Sequence, residues 1–477
     1  MQHFELFING KHVKPLSGEY SHDIDPATEE PIAAVALGGK ADVDVAVKAA
    51  RAAQKGWAGM RAADRGRILQ RAADLIEQHA EELIQIESRD AGKPLAGVRR
   101  QDMPAVIDTL RYYAGWCDKI TGLVVPARPD AVTYTLREPV GVVGAIIPWN
   151  FPMMIGMWKI APALACGCSM VVKPAEITPL SMLRIAELLL EAGVPPGVFN
   201  VVTGKGSVVG DALVQHPDVN KVTFTGSPGV GRGILQGAAS NFKRVTLELG
   251  GKSANIIFAD GNLDRAARNA ASGIFFNAGQ VCSAGSRVLV ERSAYDEVVD
   301  RLVARAKTIK VGSPDAPDTT MGPVVSANQL KTVLEYIDIG KAEGASPVTG
   351  GARLGQKGYY VEPTIFANVE HDMRVSQEEI FGPVLSVIPF DDEQDALRIA
   401  NGTAYSLAAG VWSADISRVH RMAAGLRAGT VWINTYGYTD VRLPWGGSGE
   451  SGFGREHGEA ALENFTEPKA VWMAIDP

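Results

Sequence analysis

The sequence predicts an α/β protein: a parallel, doubly wound sheet followed by a second α/β unit. Two observations carry this reading. Between about residues 142 and 258, short apolar runs alternate with helix-like segments. One of those runs, Val142–Ile147, is apolar throughout, as in a parallel strand buried on both faces by covering helices.

The elements follow in order. The first part of the chain reads as helical: Val43, Ala46, Val47 and Ala50 follow i, i+3, i+4, i+7 spacing. A second stripe, Ile68, Leu69, Ala72, Leu75, Ile76 and Leu83, ends at Gly92 and Pro94. Residues 123–139, LVVPARPDAVTYTLREP, alternate around Tyr134 and Leu136 and read as a hairpin, and the C-terminal KAVWMAI has the same character. Exposed strands of this kind are candidates for pairing with another subunit. The sheet itself is expected from VVGAII, SMVVK, VFNVV, KVTFTG, RVTLEL and ANIIF. From about residue 260 the second pattern begins, with helices near 262–278 and 294–310 and strands RVLV, LSVIPF and GTVWIN. Pro139–Trp158 is twenty residues without a formal charge, long enough to span a bilayer. Pro139, Pro148 and Pro152 would interrupt such a helix, and Val142–Ile147 reads as a buried strand instead.

Composition narrows the function. A chain of 477 residues holds about three domain-sized units, and 46% hydrophobic with 21% charged residues excludes disorder. With 47 Lys and Arg against 54 Asp and Glu, the net charge of −7 provides no field for nucleic acid or an anionic membrane. The N-terminal MQHFELFINGKHVKP lacks the pattern of a secretory signal, so a cytoplasmic location is expected. Four cysteines, Cys117, Cys166, Cys168 and Cys282, are too few for a disulfide framework. Cys166-Gly-Cys168 lacks the spacing of a zinc pair, and no histidine lies within about fifty residues of Cys282, so no metal site is expected.

In a doubly wound sheet, ligands bind beyond the carboxyl ends of the strands. Those ends read Pro148-Trp149-Asn150, Lys173-Pro174-Ala175-Glu176, Thr225-Gly226-Ser227 and Leu247-Glu248-Leu249-Gly250-Gly251. FTGSPGVGRGI places Gly226, Ser227, Gly229 and Gly231 between a strand and a helix, where backbone N–H groups can meet a phosphate; an ordinary tight turn is the other reading. Glu176 is placed to accept from both hydroxyls of an adenosine ribose and to repel a 2′-phosphate, although KPAEITP also reads as a solvated helix start. Glu248, at the end of an apolar run, is either a salt-bridged structural carboxylate or a general base with a raised pKa. Cys282, within NAGQVCSAGS, is either a small buried residue or a nucleophile made approachable by Gly279, Ala284 and Gly285.

Taken together, PWNFP at 148–152, KPAE at 173–176, FTGS at 224–227, LELGGK at 247–252, GQVC at 279–282 and EEIFGPV at 378–384 closely resemble the aldehyde dehydrogenase superfamily. The resemblance runs over essentially the whole chain, to GFGRE at 452–456. It implies a Rossmann-like NAD-binding domain (1–122 and 140–250), an α/β catalytic domain (251–440), and bridging segments (123–139 and 455–477) that build a homodimer or homotetramer. The implied reaction is the oxidation of a small-molecule aldehyde to a carboxylic acid. Cys282 attacks the carbonyl, and the Asn150 side-chain amide and the Cys282 N–H hold the oxyanion. Hydride transfer to the nicotinamide gives a thioester, and Glu248 activates the water that hydrolyses it. Lys159 matches a lysine that supports proton relay in some members, an ion pair being the other reading.

For the cofactor, the resemblance implies Lys173 and Glu176 at the adenosine ribose, with Trp149, Gly206 and Gly210 in the same pocket. Gly226, Ser227 and Val230 fall at the pyrophosphate with Leu249 beside them, and Glu379 and Phe381 at the nicotinamide end. Glu176 favours NAD over NADP. Phe151, Trp158 and Trp445, with Ile155, map to the substrate pocket and imply an aromatic tunnel for an apolar or cationic aldehyde, whereas Asp440 and Arg442 could select charge. PWGGSGESG departs from the family pattern at Ser448, Gly449 and Glu450, near the substrate entrance in relatives. A CoA-acylating relative would usually lack the counterpart of Glu248, and a non-enzymatic one would have lost Cys282, Glu248 or Asn150; all three are present.

Overall fold

The computed structural model describes residues 1–475. Its first sheet has eight strands. Val142–Ile146 lies near the middle, with Ser169–Lys173 and then Phe199–Val201 on one side, and Lys221–Thr225 and then Arg244–Glu248 on the other, all parallel. The chain thus winds outward in one direction, returns, and continues in the other. Between Val142–Ile146 and Lys221–Thr225 this reversal opens a crevice beyond the strand ends. Antiparallel strands finish the edges: Leu6–Ile8 and Lys11–Val13 at one, Gly452–Phe453 at the other.

Helices cover both faces. Val43, Ala46, Val47 and Ala50 of Lys40–Gly59 pack with Val142, Val171 and Val222 on one face. Ala62–Gln78, Met103–Ala114, Pro152–Ala165 and Leu180–Glu191 pack on the other. Every residue of Pro152–Ala165 is buried, which explains why PMMIGMWKIAPALA is apolar almost all round and makes its one charge, Lys159, conspicuous.

The expectation of a helical first part holds only from Lys40 onward; there the helix Ala80–Ala91 stops at Gly92, whose φ is 71°. Before that the chain is strands: Gln2–Phe4, Leu6–Ile8, Lys11–Val13, Tyr20–Ile24 and Pro31–Ala36. Strands of three residues hold too few alternations to register as a pattern. Ala254–Ile257, read with the first group of runs, instead sits inside a second, seven-stranded sheet between Arg287–Glu291 and Ala408–Trp412. The crossing from one sheet to the other is made by the five residues 249–253, a break too short to separate two apolar runs by eye.

The second sheet also holds Val384–Phe390, Thr364–Ala367, Thr430–Ile433 and an antiparallel edge strand, Ser346–Thr349. Ala131–Pro139 and Thr466–Ala474 pair with each other, antiparallel, from Thr466 opposite Pro139 to Ala474 opposite Ala131. This ribbon exposes Val132, Leu136, Trp472 and Met473. No helix among the described residues is long and apolar enough to cross a membrane.

Candidate active site

Of the four free cysteines, Cys117, Cys166 and Cys168 are buried and Cys282 alone is partly exposed. It follows the helix Leu263–Phe275 through a turn in which Asn277, Ala278 and Gly279 all have positive φ, 50°, 52° and 73°. A left-handed alanine costs about 1–2 kcal/mol, and side chains hold the turn against it. Gln280 Nε2 donates to the Asn277 carbonyl at 3.0 Å, Asn277 Nδ2 to the Gln280 carbonyl at 3.3 Å, and Val325 N–H to Gln280 Oε1 at 2.8 Å. Asn150 Nδ2 donates to that same Gln280 carbonyl at 3.0 Å, bringing the loop after Val142–Ile146 against the cysteine turn.

On one side, Cys282 opens into a cavity of about 760 Å³. Phe151, Ile155, Trp158 and Trp445 all line it, with Phe276 stacked on Phe151 at 6.1 Å between centroids. Trp158 lies 4.3 Å from the His457 ring, which burial holds down at about 4 and therefore neutral. Asp440 and Arg442 stand on the cavity wall but bind each other through two contacts, 2.8 and 2.6 Å, which cancels the selecting charge either would have offered. Ser448, Gly449 and Glu450 do not line the cavity. Ser448 is hydrogen-bonded to Ser406, and Glu450 pairs with Arg232 on the helix Pro228–Ala238, so this departure from the family pattern faces the first sheet.

On the other side stand carboxylates. Glu248 ends the strand Arg244–Glu248 and is 5% exposed. Burial raises it well above the usual carboxylate range, Glu456 adding to the shift while Lys159 and Arg455 oppose it. Lys159 Nζ and Glu456 form an ion pair at 2.5 Å, both buried. Glu379 accepts from Gly251 N–H at 3.0 Å, and burial pushes it up to about 7. Burial likewise pushes the Cys282 thiol up to about 12, with Glu248 and then Glu379 adding to it. LELGGK reads physically here: a Cβ on Gly250 would lie 2.0 Å from Glu379 Oε2, and one on Gly251 2.4 Å from the Cys282 carbonyl. Glu456 escaped the sequence reading, although GFGRE contains it; nothing in the spacing links it to Lys159, 297 residues away.

The dinucleotide-type edge lies at the crevice of the first sheet. Ser227 caps the helix Pro228–Ala238 weakly, accepting from Val230 N–H at 3.5 Å, and no acidic residue occupies the first turn. Ser227, Gly229 and Val230 are exposed, and a Cβ on Gly229 would meet nothing within 4 Å, so an anion has free access to the helix N-terminus. Leu249 N–H is taken by the Ser451 carbonyl, which leaves its own carbonyl and its side chain for a ligand. Lys173 ends its strand buried, its ammonium on the Pro174 carbonyl at 2.8 Å, and burial lowers it to about 8. Glu176 is exposed just beyond it. Gly206 and Gly210 bound the turn Gly206–Gly210, Gly206 exposed and Gly210 buried next to Ile146. Trp149, expected with these two, packs edge-on against Phe381 at 5.1 Å and thereby joins the Glu379 end. Phe381 itself holds a φ of 56°. Among the described residues, no group of His, Cys, Asp and Glu is arranged to hold a metal ion.

A thiol, a desolvated acid and an open helix terminus at a topological switch point are the working parts of an oxidoreductase that holds its substrate covalently. The profile of the aldehyde dehydrogenase family matches residues 12–471, and the chain belongs to that family. It is 48% identical to aldehyde dehydrogenase 1A1 of Oryctolagus cuniculus over 479 residues, covering 100% of this chain and 97% of the relative. The NAD+ complex of an aldehyde dehydrogenase from Bacillus cereus superposes with a TM-score of 0.98 at 49% identity, covering 100% of this chain and 97% of that one. An indole-3-acetaldehyde dehydrogenase of P. syringae, solved with NAD+ and IAA, superposes with a TM-score of 0.97 at 45% identity over 98% of this chain and 96% of that one.

Proposed function

We propose that this chain oxidises an apolar, preferentially aromatic, aldehyde to its carboxylic acid through a covalent adduct on Cys282. The observation that carries the proposal is the position of that thiol, at the meeting of an aromatic cavity and a set of buried carboxylates. Bound NAD supplies the hydride acceptor. The edge described above fits it: Gly226, Ser227 and Val230 at the pyrophosphate, Lys173 and Glu176 at the adenosine ribose, Glu379 and Phe381 at the other end.

The Cys282 sulfur adds to the carbonyl carbon as its S–H bond breaks, the proton passing to solvent water in the cavity and the carbonyl oxygen becoming the oxyanion. Asn150 Nδ2 carries two protons and commits one to the Gln280 carbonyl, leaving the second for the oxyanion beside the Cys282 N–H. Once the adduct is oxidised to a thioester, Glu248 takes a proton from the attacking water. Its raised affinity for protons makes its carboxylate, once ionised, a stronger base toward water. The Lys159–Glu456 pair lies behind it as the route by which that proton leaves. Discharge to water rather than to CoA follows from the presence of Glu248.

The buried part of the cavity wall is Phe151, Met154, Trp158 and Trp445, with Phe276 and Val281 beside them, and the charged residues that also line the cavity, Arg100, Asp108, Asp440 and Arg442, are not buried. The likeness to an indole-3-acetaldehyde dehydrogenase supports the same substrate class. On this reading residues 1–122 and 140–250 bind the cofactor and 251–440 carry the thiol, with the Gly452–Phe453 strand added to the first group. The exposed ribbon is the surface for a second copy, and four free cysteines suit the cytoplasm. The test is NADH formation without CoA from aromatic, aliphatic and quaternary-ammonium aldehydes. Turnover with aromatic aldehydes at the highest kcat/KM supports the proposal; turnover only when CoA is added refutes it.

A further inference from the structure

Lys93 is the first residue beyond the helix Ala80–Ala91 and its left-handed stop at Gly92. Its backbone is tied on both sides, the N–H to the Ser88 carbonyl at 3.0 Å and the carbonyl to Ser88 Oγ at 2.5 Å. The side chain is 3% exposed and runs inward to pair with Asp102, which is fully buried. Burying both charges is costly, and an apolar pair of the same volume often serves stability as well or better. The ammonium makes two further contacts. It donates to the Asn150 carbonyl at 3.2 Å and lies 3.8 Å from the centroid of the Phe151 ring. Asn277 Nδ2 donates to that same Asn150 carbonyl at 3.1 Å.

Two donors on one carbonyl fix the orientation of the Asn150–Phe151 peptide group, from which the Asn150 amide projects toward Gln280 and the Phe151 ring toward the cavity. We infer that Lys93, held by Asp102, is a positioning residue that sets the oxyanion-binding amide of Asn150 and one wall of the substrate cavity at once. The inference rests on the reading of Asn150 as an oxyanion donor. It places the origin of that geometry in a helix end outside both sheets.

The test is a double-mutant comparison with two reactions: aldehyde oxidation, and hydrolysis of 4-nitrophenyl acetate, which needs thiol and oxyanion donor but no hydride transfer. Lys93→Met is expected to lower kcat/KM in both by the same factor, about ten- to a hundredfold. NAD binding, read by fluorescence titration, should change by less than about twofold, because no cofactor-edge residue moves. In an Asn150→Ala background, Lys93→Met should add less than about threefold, since the group it positions is gone. Lys93→Met with Asp102→Leu removes both charges, so that a fold weakened by one orphaned charge is not mistaken for lost positioning; it should remain slow while recovering its melting temperature. If Asn150→Ala leaves both rates unchanged, the reading of Asn150 fails. If Asn150→Ala is slow and Lys93→Met slows it again by the full factor, or if the Lys93→Met, Asp102→Leu variant works at the wild-type rate, the inference about Lys93 is overturned.

Discussion

The two sides of Cys282 are built from opposite materials. Toward the cavity stand Phe151, Trp158, Phe276 and Trp445, with a histidine kept neutral and the Asp440–Arg442 charges cancelled against each other. Toward the first sheet stand Glu248, Glu379 and Glu456, with Lys159 the one buried cation in direct contact with any of them. Yet the two sides act on the thiol alike. Burial and the nearby Glu248 and Glu379 carboxylates both disfavour a thiolate, and the resting thiol is held up at about 12. On the proposed mechanism the difference lies in what each side does later: the aromatic side selects what enters, and the acidic side activates the water that is incorporated into the acid.

The largest expected effect tests whether the two sides meet at one atom. Cys282→Ala should lower turnover by about 10⁴-fold or more while leaving NAD binding intact; residual turnover above that would put the nucleophile elsewhere. Glu248→Gln should separate the sides, lowering steady-state turnover by about 10²- to 10⁴-fold but preserving a rapid first burst of NADH. A lost burst would mean that Glu248 also serves the attack step. Trp158→Ala acts on the aromatic side alone, and KM for an aromatic aldehyde should rise about tenfold with kcat less affected. Because the ring is buried, that variant should also lose about 3–5 kcal/mol of stability, measured by denaturant unfolding.

The smallest effect concerns pH. Glu379 is held at about 7 in the folded chain against an ordinary value of 4.5, so the folded state binds its proton more tightly than the unfolded one. Its contribution to stability is therefore full below about 4.5 and lost as pH rises through about 7. Glu379→Gln mimics the protonated form and should melt about 2 °C or more above wild type near pH 8, the gap closing as pH falls toward 5. An equal gap at both pH values would assign the effect to packing rather than to charge.

The parallel strands were legible because short runs rich in apolar residues alternate with helix-like segments, and the strand ends because polar residues follow those runs. Cys282 and Glu248 were legible as alternatives and became specific only when six motifs were read in order. What stayed hidden shares one cause: it depends on contacts between distant residues. Lys159 meets Glu456 across 297 positions, Lys93 meets Asn150 across 57, and the N-terminal strands are recognisable only by their partners. The ribbon shows the same limit, since Ala131–Pro139, read as part of a local hairpin, pairs along its whole length with Thr466–Ala474 far away in the chain.

The pairing of Gly452–Phe453 with Leu247–Glu248 has a consequence for how the enzyme comes into being. During translation, the strand bearing Glu248 and the turn bearing Cys282 emerge long before the segment that borders the one and supplies Glu456 beside it. A nascent chain thus carries Glu248 without its Glu456 neighbour, and Lys159 without its ion-pair partner, until residue 456 has been made, and a product truncated before that point lacks both contacts.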